Sequence, residues 1–435
     1  MTDTALMTDR YELTMIDAAM RSGTAFRPSV FEVFARRLPG ARRYGVVAGT
    51  GRFLQRVAEF RFGDAELASL REHRVVSPEL LDWLADYRFA GDIRGYAEGE
   101  LYFPGSPILV VEGSFAEAVV LETVALSVLN YDSAVANAAT RMARAARDRP
   151  IAEMGSRRAN EEAAVAAARA AYIAGFAATS NLAAGARWGI PTMGTAAHSF
   201  TLLHDSEAEA FQAQIDTLGV GTTLLVDTYD IEQGIRTAVE VAGPGLGGIR
   251  LDSGDLAEVA GEARRLLDSL GATGTRITVT SDLDEYAIAG LQASPVDAYG
   301  VGTSVVTGSG APAAGMVYKL VARQGDDGEW VGVAKHSQDK ASKGGEKVAV
   351  RTLEQGVAVE ETVIVTDEQA RLDAAAERGR ALQVPLVVGG EIDERWLGHA
   401  GVESARERHA ASVAELPADA HRLARGEPVI PTVFR

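Results

Sequence analysis

The chain has 435 residues, of which 47% are hydrophobic and 24% charged, and this composition predicts a folded protein of two or three domains. Its 60 Asp and Glu against 43 Lys and Arg give a formal net charge of −17, which disfavours nucleic acid and anionic membranes as partners. The sequence has no cysteine, so disulfides and thiolate catalysis or ligation are excluded. We expect a cytoplasmic protein in which any anionic substrate needs a local basic pocket.

The first quarter of the chain contains predicted helices and short strands. The segment TDRYELTMIDAAMRSG predicts a helix with Thr8 or Asp9 as N-cap, Glu12 as the capping-box partner of Asp9, and Gly23 as its stop. The segment SVFEVFARRLP then alternates as a strand does, and GDAELASLREHRVVSPELLDWLADYRF predicts two helices. A β-rich stretch, IRGYAEGELYFPGSPILVVEG, follows.

Neither a signal peptide nor a membrane span is expected. The N-terminal residues MTDTALMTDRYELTM lack the basic and then apolar pattern of a signal peptide. The most apolar stretch, from Ile108 to Leu129, is interrupted by Glu112, Glu117 and Glu122. A span of the hydrocarbon core needs about 20 predominantly apolar residues, so this stretch does not qualify.

From about Leu121 the pattern changes to strands that alternate with helices. Short apolar runs end in polar or glycine residues, in the segments PIAEMGSRR, ATSNLAAG, TTLLVDTYD, GGIRLDSGD, RITVTSDLD and DAYGVGTSV. Continuous apolar strands separated by helices indicate a buried parallel sheet, and repeats of roughly 20 to 35 residues favour an α/β barrel over an open sheet. After about Tyr318 the pattern again predicts strands around charged turns, so we expect a discontinuous domain built from both chain ends.

Polar residues and glycines follow the C-terminal ends of the predicted barrel strands, where the active site of a parallel barrel lies. In chain order they are Glu153, Arg157, Thr179, Ser180, His198, Asp227, Arg250, Asp252, Asp282, Gly300 and Gly302. Arginines, carboxylates, a histidine and a glycine-rich loop together suit a phosphorylated substrate with a divalent cation.

Each of these residues also has a structural interpretation. His198 in GTAAHSF is as compatible with a structural hydrogen bond as with catalysis. Arg250 and Asp252 can form a local ion pair, and Asp227, like Asp252, can cap a helix. The GSRR pair can lie on the surface, the YGVGTS loop can be a plain strand–helix turn, and the run from Lys335 to Lys347 can be a solvated hairpin. The order of these residues along one face of the predicted barrel favours a functional site over separate structural roles.

Several motifs resemble, in the same order, those of nicotinate phosphoribosyltransferases. Between about Leu6 and Arg351 they are LMTDRYELTM, FEVFARRLPG, EMGSRRA, GFAATSNLAAG, GIPTMGTAAHSF, LLVDTYD, IRLDSGDL and YGVGTSVVTG. The resemblance implies an α/β fold with an incomplete parallel α/β barrel and a discontinuous α+β sandwich domain formed by both chain ends. We place the barrel at residues 121–317, and the sandwich domain at 1–120 and 318–435, the latter with a helical or loose tail.

The resemblance also implies the reaction. The 5-phosphoribosyl group of phosphoribosyl pyrophosphate is transferred to nicotinate, giving nicotinate mononucleotide and pyrophosphate as the first step of NAD synthesis from nicotinate. ATP is a co-substrate whose hydrolysis is coupled through a phosphohistidine, Mg²⁺ is the cofactor, and the enzyme is a homodimer with shared active sites. His198 matches the phosphorylated histidine, and imidazole is a good phosphoryl acceptor near neutral pH because it is largely unprotonated there.

By position, the resemblance assigns further roles. Tyr11 stacks on the pyridine ring from the partner subunit, Arg157 lies near the pyridine and phosphate, and Arg250 with Asp252 holds the nicotinate carboxylate and the ribose hydroxyls. In full, the implied catalytic residues are His198, Asp252 and Arg250; the substrate-binding residues are Tyr11, Arg157, Thr179, Ser180 and Arg250; the phosphate-binding residues are Ser281, Gly300, Gly302, Thr303, Lys319 and Lys340; and the metal ligands are Asp227 and Asp282.

Ser180 predicts a preference for the acid over the amide. Relatives that use nicotinamide carry Asp at this position, and a carboxylate would repel that of nicotinate, whereas a hydroxyl can donate to it. The alternatives are a nicotinamide- or quinolinate-type phosphoribosyltransferase on the same fold and a non-catalytic nucleotide-binding barrel.

Overall fold

The structure, a computed structural model, describes residues 5–335, 343–365 and 379–435. Lys340 lies outside the described residues. The described strands, in chain order, are β1 (Pro28–Ala35), β2 (Gly45–Val46), β3 (Asp92–Tyr96), β4 (Leu101–Tyr102), β5 (Leu109–Ser114), β6 (Ile151–Glu153), β7 (Ala178–Thr179), β8 (Thr223–Leu225), β9 (Gly248–Leu251), β10 (Arg276–Val279), β11 (Ala298–Val301), β12 (Met316–Gln324), β13 (Trp330–Gly332), β14 (Lys347–Glu354), β15 (Val357–Val365), β16 (Arg380–Ala381), β17 (Gln383–Val388), β18 (Glu391–Ile392) and β19 (Thr432–Phe434). The described helices are α1 (Arg10–Ser22), α2 (Thr50–Glu59), α3 (Asp64–Glu72), α4 (Pro78–Ala85), α5 (Phe115–Val119), α6 (Glu122–Ala146), α7 (Glu161–Ile173), α8 (Leu182–Trp188), α9 (His198–Leu203), α10 (Glu207–Leu218), α11 (Ile231–Ala242), α12 (Leu256–Ser269), α13 (Glu285–Gly290), α14 (Thr303–Val306) and α15 (Gly398–Ala414).

The chain divides into two compact units. The first combines Met1–Asn137 with Ala311–Arg435, and the second is Ala138–Gly310. Helix α6 runs through the division after Asn137. The domain boundaries at residues 120 and 317 therefore stay predictions.

The second unit contains a six-stranded sheet in the order β7-β6-β11-β10-β9-β8. Every pairing in it is parallel, and β7 and β8 lie at its two edges. Apolar side chains such as Ile249, Ile277 and Val301 are fully buried along the strands, as expected for a parallel sheet covered by helices. The prediction of an incomplete parallel barrel is confirmed.

Some aspartates near the strand ends cap helices, and others are free of that role and available to the candidate site. Asp230 accepts the backbone N–H of Gln233 at the start of α11, and Asp255 accepts those of Ala257 and Glu258 at the start of α12. Because these two side chains cap the helices, Asp227 and Asp252 are not needed as caps.

The first unit joins strands from both chain ends in one sheet. Its order is β13-β12-β1-β5-β3-β17-β18, with antiparallel pairing throughout. A second sheet, β16-β14-β15-β19, contributes Ala349 and Val363 to the same apolar core that contains Phe31 and Tyr318. The rings of Phe31 and Tyr318 stack with centroids 5.0 Å apart. The sandwich domain formed by both chain ends is confirmed.

A buried ion network crosses this unit. The guanidinium of Arg351, 0% exposed, donates to Glu100 at 2.7 Å and to Glu361 at 2.8 Å. Glu361 also accepts from the hydroxyl of Tyr96 at 2.8 Å. Burial alone would raise the pKa of Glu100, but Arg351 and Arg380 lower it to about 2. The network ties residues near position 100 to strands from the last hundred residues.

Helix α1 starts and stops where the sequence predicts. Asp9 is its N-cap, and Gly23 ends it in the left-handed conformation, with φ 75°. The predicted capping box is wrong, because Asp9 makes no side-chain cap bond. The buried Glu12 carboxylate instead accepts the N–H of Thr123 at 2.9 Å and its hydroxyl at 2.6 Å. The buried Glu12 therefore bonds to the start of α6 and not to Asp9, the N-cap of its own helix α1.

One helical stretch in the described part of the chain, Phe115–Ala146, is long and apolar enough to cross a membrane by length and composition alone. In its most apolar window, 67% is buried inside the protein. The stretch therefore packs as a core helix does.

Candidate active site

A pocket of about 280 Å³ lies at the carboxyl ends of four parallel strands in the second unit. Its walls come from the residues at the ends of β6, β9, β10 and β11, the face where a parallel barrel places its site. The lining residues are Met154, Arg157, Arg158, Arg250, Asp252, Thr280, Ser281, Asp282, Gly300, Gly302 and Thr303.

The pocket is basic on one side. Arg157 and Arg158 are exposed on the short turn Ser156–Arg158, and Arg250 projects from β9. Burial lowers the pKa of Arg250, while the nearby carboxylates of Asp252 and Asp227 oppose that shift. Three guanidinium groups around one pocket favour anion binding in a protein whose formal net charge is −17.

Asp227 links His198 to the loop after β9. Its Oδ1 lies 3.2 Å from Nε2 of His198, and its Oδ2 accepts the N–H of Asp252 at 2.7 Å and the hydroxyl of Ser253 at 2.9 Å. The Asp227 side chain is fully buried, whereas that of His198 is 40% exposed. Asp227 thus orients the imidazole of His198 toward the strand end that carries Asp252.

Arg250 holds the loop before His198. Its guanidinium donates to the carbonyl of Ala196 at 2.9 Å and to the hydroxyl of Thr195 at 3.4 Å. His198 is then the first residue of α9. His198 does not line the pocket, but two sets of hydrogen bonds attach it to Arg250 and Asp252, which do.

Thr179 and Ser180 lie at the neighbouring strand end, outside the pocket lining. The buried hydroxyl of Thr179 donates to Glu153 at 2.6 Å. Ser180 is exposed just past β7. Burial raises the pKa of Glu153, although the hydrogen bonds from Thr179 and Gly155 lower it.

Tyr11 and Lys319 belong to the first unit. Tyr11 is 44% exposed on α1, and burial together with the carboxylate of Glu122 raises its pKa. The amino group of Lys319 lies 3.8 Å from a Glu122 oxygen. Their roles in substrate and phosphate binding stay predictions, as does that of Lys340.

Two backbone features shape the pocket floor. A Cβ atom on Gly300 would lie 2.6 Å from Cγ2 of Thr280 and 2.7 Å from the sulfur of Met154, so any side chain there would force these pocket residues to shift. Ser281 has a φ of 115°, which is strained for a residue with a side chain. Such strain is concentrated at functional sites.

Sequence reasoning missed some of the lining. Arg158 and Thr280 were not predicted as site residues, yet both line the pocket. Arg158 stands beside Arg157 in GSRR, and Thr280 directly follows β10, so adjacency to predicted positions was the available signal. That signal does not tell which of two neighbouring side chains faces the pocket.

The carboxylates at the pocket suit a Mg²⁺ ion that binds together with the phosphate groups of a substrate. No group of three or more His, Asp or Glu side chains suited to a metal occurs among the described residues. Mg²⁺ commonly takes one or two carboxylates and completes its shell with water and substrate phosphates. Asp282, exposed at the pocket wall, fits this pattern, whereas Asp227 has both oxygens engaged by donors.

An arginine-rich pocket at the carboxyl ends of an incomplete parallel barrel is typical of an α/β enzyme with a site suited to an anionic ligand. Residues 6–130 match the family model of the nicotinate phosphoribosyltransferase (NAPRTase) N-terminal domain. The chain is 55% identical over 436 residues to nicotinate phosphoribosyltransferase pncB1 of Mycobacterium tuberculosis, with 98% of this chain and 94% of that one covered. It is 38% identical over 362 residues to nicotinate phosphoribosyltransferase of Bacillus subtilis, with coverage of 81% and 74%.

The fold agrees with these matches. The crystal structure of human nicotinic acid phosphoribosyltransferase superimposes with a TM-score of 0.79 at 25% identity, covering 98% of this chain and 97% of that one. The chain belongs to the nicotinate phosphoribosyltransferase family, and it is an enzyme.

Proposed function

We propose that the enzyme transfers the 5-phosphoribosyl group of phosphoribosyl pyrophosphate to nicotinate, giving nicotinate mononucleotide and pyrophosphate, with ATP hydrolysis coupled to the transfer. The observation that carries this proposal is the single pocket that combines Arg157, Arg158 and Arg250 with Asp252 and the Gly300–Thr303 loop. Both substrates are anionic, and the names of the relatives give the same reaction class.

The arrangement suits displacement at the ribose anomeric carbon. Positive charge builds on the sugar and negative charge on the departing pyrophosphate, so one carboxylate and several guanidinium groups stabilise both ends of the transition state. Asp252 provides the carboxylate, and the arginines provide the positive charge. The ring nitrogen of nicotinate is already nucleophilic, so no general base is needed.

His198 is the proposed phosphoryl acceptor from ATP. When its Nε2–H donates to Asp227, the lone pair of the neutral imidazole is on Nδ1, where it can accept a phosphoryl group. The hydrogen bonds from Arg250 to Thr195 and Ala196 support coupling, because charge placed on His198 acts on a loop attached to the pocket.

Mg²⁺ is the proposed cofactor, with Asp282 as the better placed of its two predicted ligands. When bound, it neutralises charge on the diphosphate and makes pyrophosphate a better leaving group. Asp227, with its oxygens engaged by His198, Asp252 and Ser253, serves to orient those groups.

Nicotinate is preferred over nicotinamide in this proposal. Ser180 is exposed and neutral, so it can donate to a carboxylate where an acidic residue would repel it. In competition between the two bases, equal turnover of nicotinamide would contradict this preference. A quinolinate-type enzyme would release CO₂, and a non-catalytic barrel would form no product.

A homodimer with shared active sites, in a cytoplasmic setting, completes the proposal. Exposed Leu182, Leu202 and Leu203 on the second unit, and exposed Tyr11 and Phe26 on the first, support burial of apolar surface against a second copy. Sedimentation of the purified enzyme tests this, with a dimeric mass expected.

The reaction is tested by incubating the enzyme with nicotinate, phosphoribosyl pyrophosphate and Mg²⁺, with and without ATP. We expect nicotinate mononucleotide in both cases and more of it with ATP. Label from γ-³²P ATP should appear on His198 as acid-labile, base-stable phosphate. The variant His198→Ala should keep slow synthesis and lose the stimulation by ATP. Synthesis unaffected by ATP in the unaltered enzyme would refute the coupling.

A further inference from the structure

Glu153 joins the ends of two neighbouring barrel strands. It is the last residue of β6 and is 0% exposed. One carboxylate oxygen accepts the N–H of Gly155 at 2.5 Å, and the other accepts the hydroxyl of Thr179 at 2.6 Å. Gly155 precedes the turn that carries the pocket arginines, and Thr179 ends β7. A single buried side chain therefore connects the loop after β6 to the end of β7, where the loop after β7 begins.

Asn181 adds a second connection between the same loops. Its amide donates to the hydroxyl of Ser156 at 3.0 Å, and its backbone N–H donates to the hydroxyl of Thr179 at 3.0 Å. Its side-chain oxygen caps α8 by accepting the N–H of Ala184 at 3.0 Å. The arginine turn is thus attached to a helix start as well as to a strand end.

Gly155 also packs against the loop after β11. A Cβ atom on Gly155 would lie 2.3 Å from Cγ1 of Val306 and 2.9 Å from the carbonyl oxygen of Gly302. The N–H of Met154 donates to the carbonyl of Val301 at 2.7 Å. Any shift of Gly155 would therefore move the turn bearing Arg157 relative to Gly302 at the end of the neighbouring strand β11.

We propose that Glu153 is a positioning residue of the active site, whose carboxylate holds the turn of Arg157 and Arg158 at the distance from the Gly300–Thr303 loop that an anionic phosphate substrate requires. The inference rests on the proposed function in one respect, that these arginines bind phosphate groups. Glu153 contacts no substrate in this scheme and acts through Gly155 and Thr179.

The chemistry of the site explains why a carboxylate occupies this position. A buried anion is costly unless it is hydrogen-bonded, and here each oxygen has one donor. A glutamine keeps the shape but replaces one acceptor oxygen with an NH₂ group, so one of the two donors loses its partner. Because one donor, Gly155, precedes the arginine turn and the other, Thr179, ends the neighbouring strand β7, the expected consequence is a displaced arginine turn.

The test compares Glu153→Gln with a matched variant in the first unit, Glu98→Gln. Glu98 is also buried, and its carboxylate accepts the N–H groups of Gly49 at 2.6 Å and Gly51 at 3.1 Å. Binding of inorganic pyrophosphate with Mg²⁺ is measured by calorimetry, without nicotinate or ATP. We expect Glu153→Gln to raise the Kd for pyrophosphate about tenfold or more. Glu98→Gln should lower the Tm by a similar amount and leave this Kd unchanged. A second variant, Thr179→Val, should weaken binding in the same direction by a smaller factor.

Unchanged pyrophosphate affinity in folded Glu153→Gln and Thr179→Val would overturn the proposal, and so would equal weakening in Glu98→Gln. Absence of pyrophosphate binding by the unaltered enzyme would overturn both this inference and the proposed function. If the unaltered enzyme bound pyrophosphate and Glu153→Gln did not, yet no nicotinate mononucleotide were formed, the proposed function alone would fail.

Discussion

At the scale of single residues, the site depends on acceptors that face more than one neighbour. Asp227 is the clearest case, because its two oxygens serve His198, Asp252 and Ser253. Removing one charge there disturbs both the imidazole and the loop after β9. Asp230, three residues further along, caps α11 and, among the described residues, bonds neither to His198 nor to the loop after β9, so it serves as a matched control.

We expect Asp227→Asn to lower the ATP hydrolysed per nicotinate mononucleotide formed by about tenfold, since the imidazole loses its charged acceptor. Parallel assays of phosphate release and nucleotide formation measure this ratio. Asp230→Asn should leave the ratio unchanged and cost at most about 1 kcal/mol of helix stability. Equal effects of the two substitutions would show that Asp227 has no special part in coupling.

Gly300→Ala should weaken the binding of phosphoribosyl pyrophosphate, because the added methyl group would lie 2.6 Å from Thr280 and 2.7 Å from Met154. Overpacking of this kind costs about 1–3 kcal/mol, and here the shift falls on pocket residues. The KM for phosphoribosyl pyrophosphate measures it. Gly290→Ala is the control, since nothing lies within 4 Å of its added Cβ, and its KM should not change.

At the scale of elements, α1 and α6 are joined through Glu12. Burial, aided by the carboxylates of Glu122 and Asp9, raises the pKa of this carboxyl to about 7, in spite of the hydrogen bonds from Thr123. In the unfolded chain the same group has a pKa near 4.5. The folded state therefore holds an extra proton between these values, so stability falls as the pH rises from about 4.5 to 7.

The variant Glu12→Gln should lack this pH dependence. Its free energy of unfolding, minus that of the unaltered enzyme, should increase as the pH rises from 5 to 8. The reason is that glutamine has no carboxylate charge to bury. Urea denaturation at several pH values measures the difference between the two proteins. A difference that does not change over this range would mean that Glu12 titrates in the fold as it does in the unfolded chain.

Element types were predictable, whereas the partners of polar side chains were not. The six barrel strands follow from apolar runs that end in polar residues, and the stop of α1 follows from Gly23. The sequence offered Glu12 as a local capping residue, but tertiary burial gave it Thr123, 111 positions away. Likewise Asp227 and Asp230 are equivalent as cap candidates in VDTYD until the strand register places one of them beside His198.

The candidate site was predictable to a similar extent. Arg157, Arg250, Asp252, Asp282 and the glycine loop meet in one pocket because parallel strands end on one face. Thr179 was predicted to bind substrate, but its hydroxyl donates to a buried carboxylate, a contact that spacing along the chain does not reveal. Its assigned role, like that of Ser180, stays a prediction.

At the scale of the whole molecule, the ion network around Arg351 joins distant parts of the chain. Arg351→Met should lower the free energy of unfolding by about 3–5 kcal/mol, because Glu361 would remain buried without the Arg351 cation and Glu100 would keep Arg380 alone. Chemical denaturation measures this. Arg435→Met, which removes an exposed ion pair with Glu360, is the control and should cost less than about 1 kcal/mol.

The same network predicts acid sensitivity. The pKa of Glu100 is lowered to about 2 in the folded protein. Its contribution to the free energy of unfolding is therefore complete above a pH near 4.5 and is lost as the pH falls toward 2. If Arg351→Met lost as much Tm over this pH range as the unaltered enzyme, carboxylates other than Glu100 would be the cause of the acid sensitivity.

The position of β1 between β5 and β12, and of β3 between β5 and β17, has a consequence for biosynthesis. The ribosome delivers β1 and β3 about 290 residues before their outer neighbours β12 and β17, so each of these two strands has one unpaired edge while translation continues. The barrel emerges whole in the meantime and is free to fold first, which reverses the usual N-terminal-first order. A chain that is released after Gly310 should therefore protect its middle from protease while its beginning is digested.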